Sequence, residues 1–472
     1  MSELQEQLAA LRRRMARTLE ECALKYEKPG FTALSQPFAS GIGSYLEESA
    51  GVAGSAPGGN GLDPRRQSAG NRFHVEEWLP GEEVETALGR HYETETFYAR
   101  HRHHGTADIG ALAELPANLL EILADDAVRD IPPTEWAFLD TETTGLAGGT
   151  GTCAFLIGVG RIISEGFHVR QFFMRDYGEE ASSLDALTRY LAPFRVLITY
   201  NGRSFDQPLL ETRYRMNRAR PPFGRLEHVD LLYGARRLWK LRFESCRLVD
   251  LEQSILGVER QGDAPGALIP YLYFEYLRTH EIARLVPVFH HNATDILTLA
   301  CLAGIVPAAF NNAFNDPSSA PLRHGAEMAS VARWLREAGE LDQARTLFRR
   351  AMNAELRDDL LFRTLWDLAA LEKKLECDAA ALEIWSDLAG SKNPFQVKAH
   401  EELAKYFEHS AKNYARALEL TRAALDLDDS EELRKREQRL MRRVASASIS
   451  PASGMKASSR QKTERPKQLL RG

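Results

Sequence analysis

Residues 136–232 alternate short apolar runs with helix-length amphipathic stretches, and their order leaves few folds open. WAFLD (136–140) is a brief apolar run ending in an acid, the mark of a buried strand at the point where it emerges. CAFLIGVGRI (153–162) and FHVRQFFM (167–174) follow, separated by a short Ser-Glu-Gly turn, and with WAFLD they read as a meander of three strands. SSLDALTRYLAPF then has helical periodicity, VLITYN (196–201) is another buried strand, FDQPLLETRYRMN a second helix and EHVDLL (227–232) a fifth strand. The expected architecture is α/β: a mixed five-stranded sheet flanked by helices. From pattern alone, the alternative is a doubly wound parallel sheet.

The rest of the chain differs in kind. A polar amphipathic helix is expected over about 1–28. A stretch rich in Gly, Ser, Ala and Pro (48–72) reads as a linker, so 1–72 forms an N-terminal unit. Residues 73–135 read as an extension of the core, which occupies 136–310. Residues 327–430 have no strand pattern and carry a weak repeat: ARTLF (344–348), ALEIW (381–385) and ALELT (417–421) recur at intervals of 37 and 36 residues. An all-α tetratricopeptide-like array fits, against an ordinary helical domain with chance similarity. The segment 434–472 holds 12 Lys/Arg and 2 Glu and is expected to be a disordered tail, either a weak nucleic-acid tether or a solubilising one.

Composition excludes several classes. No run of about 18 apolar residues is evident, so no membrane span is expected. Five scattered cysteines without paired spacing argue against a disulfide framework or a zinc ribbon and fit a reducing cytoplasm. His101, His103 and His104 cluster, but no carboxylate or cysteine is spaced to complete a metal site with them. GLAGGTGT lacks the Gly-Lys-Ser/Thr ending of a phosphate loop. A net charge of -6 argues against a uniformly basic nucleic-acid binder, though not against an acidic site that meets phosphate through cations.

FLDTETTGL places Asp140 and Glu142 two apart at a strand end, hence on one face of the strand. Two such carboxylates repel unless a cation lies between them. TYNGRSFDQPLL puts Asp206 just after a strand and at a helix start, where an N-cap or a first-turn acid favoured by the helix dipole is the plain alternative. HHNATDILTLACL puts Asp295 within a helix, with His291 one turn before it and His290 five residues before it.

Taken in order, these motifs resemble the DEDD exonucleases. FLDTETTGL, TYNGRSFDQPLLETRY, HVDLLYGARRLW, CRLVDLE and HHNATDILTLACL are together similar to the YprB-type ribonuclease H-like domains, over about residues 67–305 and most strongly 136–302. The resemblance implies a ribonuclease H-like sheet followed by the tetratricopeptide-like region. It also implies a two-metal 3′→5′ exonuclease acting on DNA or RNA. Asp140, Glu142, Asp206 and Asp295 match the four metal-binding acids, with Asp140 bridging and with Asp140 and Glu142 also catalytic. Oxygen ligation of this kind selects two ions of Mg2+ or Mn2+. His291 matches a general base at four-residue spacing and His290 one at five-residue spacing. The His-Asn-x-x-Asp string favours His291.

Substrate grip is expected from Thr144, Asn201 and Phe205, and from Arg213, Arg236 and Arg237 in two basic segments, 213–225 and 235–247. Trp239 and Phe243 would stack bases or serve the core. The expected partners are a nucleic acid, as a single-stranded 3′ end, and a protein bound by the helical repeats. Two alternatives stand beside the exonuclease: a structure-selective endonuclease on the same site, and an interaction scaffold with a slow or silent core.

Overall fold

The computed structural model describes residues 75, 78–124, 128, 130–145 and 151–449. The N-terminal helix and linker expected within 1–72, and the end of the basic tail, lie outside the described residues. The described residues divide between Leu360 and Leu361 into two compact units.

The first unit is built on a seven-stranded mixed sheet in the order β1-β2-β7-β6-β5-β8-β9. Its strands are β1 (Gly81–Thr86), β2 (Gly89–Ala99), β5 (Trp136–Thr143), β6 (Ala154–Ile163), β7 (Gly166–Phe173), β8 (Val196–Thr199) and β9 (Glu227–Asp230). A small ribbon, β3 (His103–His104) with β4 (Ala107–Asp108), stands apart. The meander β5–β6–β7 is antiparallel, while β8 joins β5 and β9 joins β8 in parallel.

Two strands beyond the expected five come from the N-terminal extension. β2 pairs with β7 from Tyr92↔Phe173 to Ala99↔Gly166, and β1 pairs with β2. Neither has an apolar run. β1 is GEEVET, largely exposed, and β2 buries polar groups against polar partners: Thr94 Oγ1 donates to Gln171 Oε1 at 3.0 Å, and His91 lies between Ser182 (2.8 Å) and Glu93 (2.9 Å). A strand whose buried side chains are mutually hydrogen bonded leaves no hydrophobic alternation to read.

Two helices cover one face of the sheet, α1 (Glu180–Leu191) and α2 (Asp206–Met216). Leu184, Leu187 and Leu191 of α1 and Leu209, Leu210 and Tyr214 of α2 pack on Ala137, Leu139, Ile157, Val159, Phe172 and Leu197. Full burial of such side chains contributes about 1.5–3 kcal/mol each. The last two residues of EHVDLL belong not to β9 but to α3 (Leu231–Trp239). Asp230 ends the strand by capping this helix, accepting from Leu232 N at 3.1 Å.

The other face is covered by α4 (Ile269–Thr279) and α5 (Val286–Asn315). By length and composition α5 and its lead-in are apolar enough to cross a bilayer, which the expectation from residue runs missed, but 67% of the most apolar window is buried in the fold. Its close approach to β6 depends on glycine. A Cβ at Gly158 would lie 2.2 Å from Asn292 Oδ1 and 2.3 Å from Ile296 Cδ1, and one at Gly160 2.5 Å from Ile296 Cγ2.

After α5, α6 (Gly325–Ala338) and α7 (Leu341–Asn353) form an antiparallel pair that turns at Gly339, with φ at +92°. They are followed by α8 (Asp358–Lys374), α9 (Asp378–Ala389), α10 (Gln396–His409), α11 (Tyr414–Leu425) and α12 (Glu431–Ile449). ARTLF, ALEIW and ALELT fall in α7, α9 and α11, at the same place in successive helices-by-twos. Residues 434–449 are helical in α12 rather than part of a tail. Leu433 and Leu440 are buried, and Arg436 and Arg439 reach the buried Glu408 of α10. A basic run with an apolar residue every seventh position has one face to bury.

Candidate active site

The pleat of β5 sends alternate side chains to opposite faces. Ala137 and Leu139 enter the core under α1 and α2, and Thr141 continues that row. Phe138, Asp140 and Glu142 point the other way, towards α5. Each face of this strand end meets one further acid-bearing helix. Thr141 Oγ1 donates to Asp206 Oδ1 at 2.5 Å, tying the first residue of α2 to the strand. On the other face, Asn292 of α5 donates to Asp140 Oδ2 at 2.9 Å, one turn before Asp295. Asp206 is not the helix cap: Phe205, half-buried, holds that position.

The structure thus gathers Asp140, Glu142, Asp206 and Asp295 at the end of β5. The charge of Asp140 is opposed by burial first, then by Asp295, Glu142 and Asp206, and its carboxyl is raised well above its ordinary range. Burial likewise raises Glu142, followed by Asp295, Asp206 and Asp263. Asp206 is pushed up to about 6, mainly by burial, with the Thr141 hydrogen bond opposing the rise.

Among the described residues no ion pair reaches Asp140, Glu142 or Asp206. Asp295 differs, because the guanidinium of Arg260 pairs with it and with Glu252, which is 1% exposed. Two half-buried carboxylates and one buried carboxylate, all raised and none with a counter-ion among the described residues, are a donor set suited to divalent cations. No three His, Cys, Asp or Glu side chains among the described residues are already drawn close enough to close on one ion.

Asp140 is oriented by a chain of amides. Gln171 Nε2 donates to Phe289 O at 2.9 Å and to Asn292 Oδ1 at 2.8 Å, while Gln171 Oε1 accepts from Thr94. With its oxygen occupied, Asn292 must turn its N–H towards Asp140. In the pairing of β5 with β6, Asp140 lies opposite Gly158, the residue whose missing side chain makes room for Asn292.

His291 lies beside Asp295, with Nε2 3.5 Å from Oδ2. Its Nδ1 lies 2.8 and 3.0 Å from the two oxygens of Asp263. A carboxylate only accepts, so Nδ1 carries the hydrogen where it meets Asp263; Arg260 Nη1 also approaches Nδ1 at 3.3 Å, and Nε2 is the ring nitrogen that faces Asp295. His290 is exposed, around the helix from this arrangement.

The grip residues divide. Asn201 is exposed with φ at +69°, and its N–H donates to Asp230 Oδ1 at 2.8 Å. Arg236 is exposed and lines one surface recess together with Asn201. Arg237, also exposed, faces Glu337 at 3.6 Å. Arg213 is buried and bidentate on Glu180 at 2.5 and 2.7 Å, so its guanidinium is spent inside the fold. Thr144 closes the β5–β6 connection, its Oγ1 accepting from Cys153 N at 2.9 Å. Trp239 is 2% exposed and donates to Glu327 at 3.1 Å, a core role rather than a base platform. Phe243 stacks under Arg242 at 4.5 Å. His104 is buried against Thr298 and near Glu252, and burial lowers it to about 4.

Thr141, Gln171, Arg260, Asp263 and Asn292 were not singled out from the sequence. Asn292 had a local signal, a polar residue inside an apolar helix. Arg260 and Asp263 lie in GVERQGDAPG, which has no periodicity to place them.

Residues 137–306 match the model of the RNase_H superfamily. The chain is 35% identical over 320 residues to the uncharacterized protein YprB of Bacillus subtilis (strain 168), a match covering 66% of this chain and 75% of that one. A ribonuclease H-like domain supports a nuclease acting on nucleic acid.

Proposed function

Because this chain belongs to the family of YprB and carries an RNase_H superfamily domain, we propose that it is a divalent-metal-dependent 3′→5′ exonuclease of DNA or RNA. The observation that carries the reading is the convergence of Asp140, Glu142, Asp206 and Asp295 from three separate elements, next to an imidazole held by Asp263. Asp140, Glu142, Asp206 and Asp295 would hold Mg2+ or Mn2+, which supply an acidified water and offset charge on the phosphate. His291 Nε2 accepts the proton of the attacking water, and Asp263 keeps Nδ1–H in place and stabilises the imidazolium that forms. Asn292 keeps Asp140 pointed into the site.

The test compares the full chain with Asp140→Asn on end-labelled single-stranded DNA, duplex DNA and RNA, with Mg2+ and then Mn2+. Stepwise release of mononucleotides by the wild type alone is expected. Cleavage of a circular single strand would replace the exonuclease with an endonuclease, and intact substrates with both metals would overturn the nuclease reading.

A further inference from the structure

Beside the acid cluster lies a second, differently charged recess. It has a volume of about 680 Å3, and its lining includes Tyr200, Asn201, Arg236, Lys240, Glu244 and Arg247. That volume suits a nucleotide-sized group. Tyr200 and Asn201 follow β8, Arg236 lies on α3, which follows β9, and Lys240 caps the end of that helix one turn further on. The recess therefore opens at the C-terminal ends of parallel strands, the end of an open sheet at which ligands bind.

Its cations are not equivalent. Arg247 is bidentate on Asp250 at 2.8 and 2.9 Å, which neutralises it. Arg236 and Lys240 are exposed, and no ion pair reaches either among the described residues. Glu244 is the one acid in the lining. The Tyr200 hydroxyl is spent on Cys246 O at 2.5 Å, leaving its ring to offer.

The wall shared with the acid cluster is held firmly. Asp230 accepts from Asn201 N at 2.8 Å, Arg203 N at 3.1 Å and Leu232 N at 3.1 Å, fixing the segment that runs from the recess to Asp206. Asp230 is near enough to oppose the charge of Asp206.

We infer that this recess is a phosphate subsite for the substrate strand: Arg236 and Lys240 grip a backbone phosphate away from the bond being cut, and Tyr200 and Asn201 face the attached nucleoside. The inference rests on the nuclease reading and gives that site a second anchoring point. Two unspent cations on a rigid wall bind phosphate with little reordering, and aromatic rings accept any base.

The experiment measures anisotropy of short fluorescein-labelled DNA and RNA single strands, with the full chain carrying Asp140→Asn so that the probe survives. Adding Arg236→Gln and Lys240→Gln should weaken binding on the order of tenfold at about 0.1 M salt. It should also make the slope of log affinity against log salt less negative by about 0.7, the value for one phosphate contact on a single strand. Glu244→Gln should tighten binding, a change that damaged folding would not produce. If the Asp140→Asn parent binds the strands but the paired variant keeps its affinity and slope, the subsite is wrong while the nuclease reading stands. If the parent binds neither strand, both fall. Displacement of the strand by a nucleoside monophosphate at comparable concentration would make this a mononucleotide pocket and overturn the strand assignment.

Discussion

Asp206 gives the most direct physical test of the acid cluster. Its carboxyl, ordinarily at 3.8, is pushed up to about 6, chiefly by burial. Each pH unit is worth about 1.4 kcal/mol, so holding this carboxylate ionised costs the metal-free fold roughly 3 kcal/mol at neutral pH. The sign follows from proton binding. Between pH 3.8 and about 6 the unfolded chain has released this proton and the folded chain retains it, so stability falls as pH rises through that window and levels off above it. Asp206→Asn removes the titration. It also weakens the hydrogen bonds from Thr141 and backbone N–H groups, whose preference for the ionised carboxylate is already contained in the net shift. The measurable quantity is therefore the slope. Hydrogen exchange by mass spectrometry, read on peptides covering Trp136–Thr143 in EDTA and corrected for intrinsic rates, gives the local opening free energy at each pH. Variant minus wild type should rise by about 2.4 kcal/mol from pH 4 to pH 7. Mn2+ should abolish that rise by stabilising the wild type. A difference that stays flat, or falls with pH, would refute the picture of an uncompensated buried carboxylate.

Gly158→Ala drives a methyl group into Asn292 and Ile296, so it should cost about 1–3 kcal/mol in thermal unfolding and remove most of the stabilisation by Mn2+, because Asp140 loses its guide. His291→Gln should lower kcat about 10²- to 10⁴-fold in single-turnover assays, whereas the exposed His290 should tolerate the same change; equal losses would sink the assignment of His291 as base. Arg260→Met leaves Glu252 buried and unpaired, so melting should report a loss of about 3–5 kcal/mol, partly recovered by adding Glu252→Leu; an unchanged melting temperature would show that the pair is dispensable.

What could be read in advance depended on whether a residue announces itself locally. β5 to β8 are legible because their buried side chains are largely apolar, and Asp140 and Glu142 because a strand's pleat fixes which way they point; β9, Glu227–Asp230, is legible only with the help of Leu231 and Leu232, which belong to the next helix. β1 and β2 escaped because their stabilising contacts are polar and arise with residues far along the chain, such as Thr94 with Gln171. The same holds within the site. His291 and Asp295 share a helix face that spacing reveals, but Asp263, which sets the tautomer of His291, is 28 residues away in a segment without periodicity. Arg213 shows the opposite error. A basic run looks like a binding surface until Glu180, 33 residues earlier, is found to take the guanidinium inside the fold.

The polar pairing of β2 with β7 bears on how this protein can be cut. The segment matched to the RNase_H superfamily begins at residue 137, after both N-terminal strands. A fragment starting there would keep all four acids, yet β7 would become an outer strand with the backbone groups from Gly166 to Phe173 open to another chain. Such an edge invites intermolecular pairing and aggregation. The fragment would also lose Thr94, the first donor in the amide chain that ends on Asp140. Inactivity of an excised core would then report a missing edge rather than missing chemistry, and a usable minimal nuclease has to begin ahead of β1.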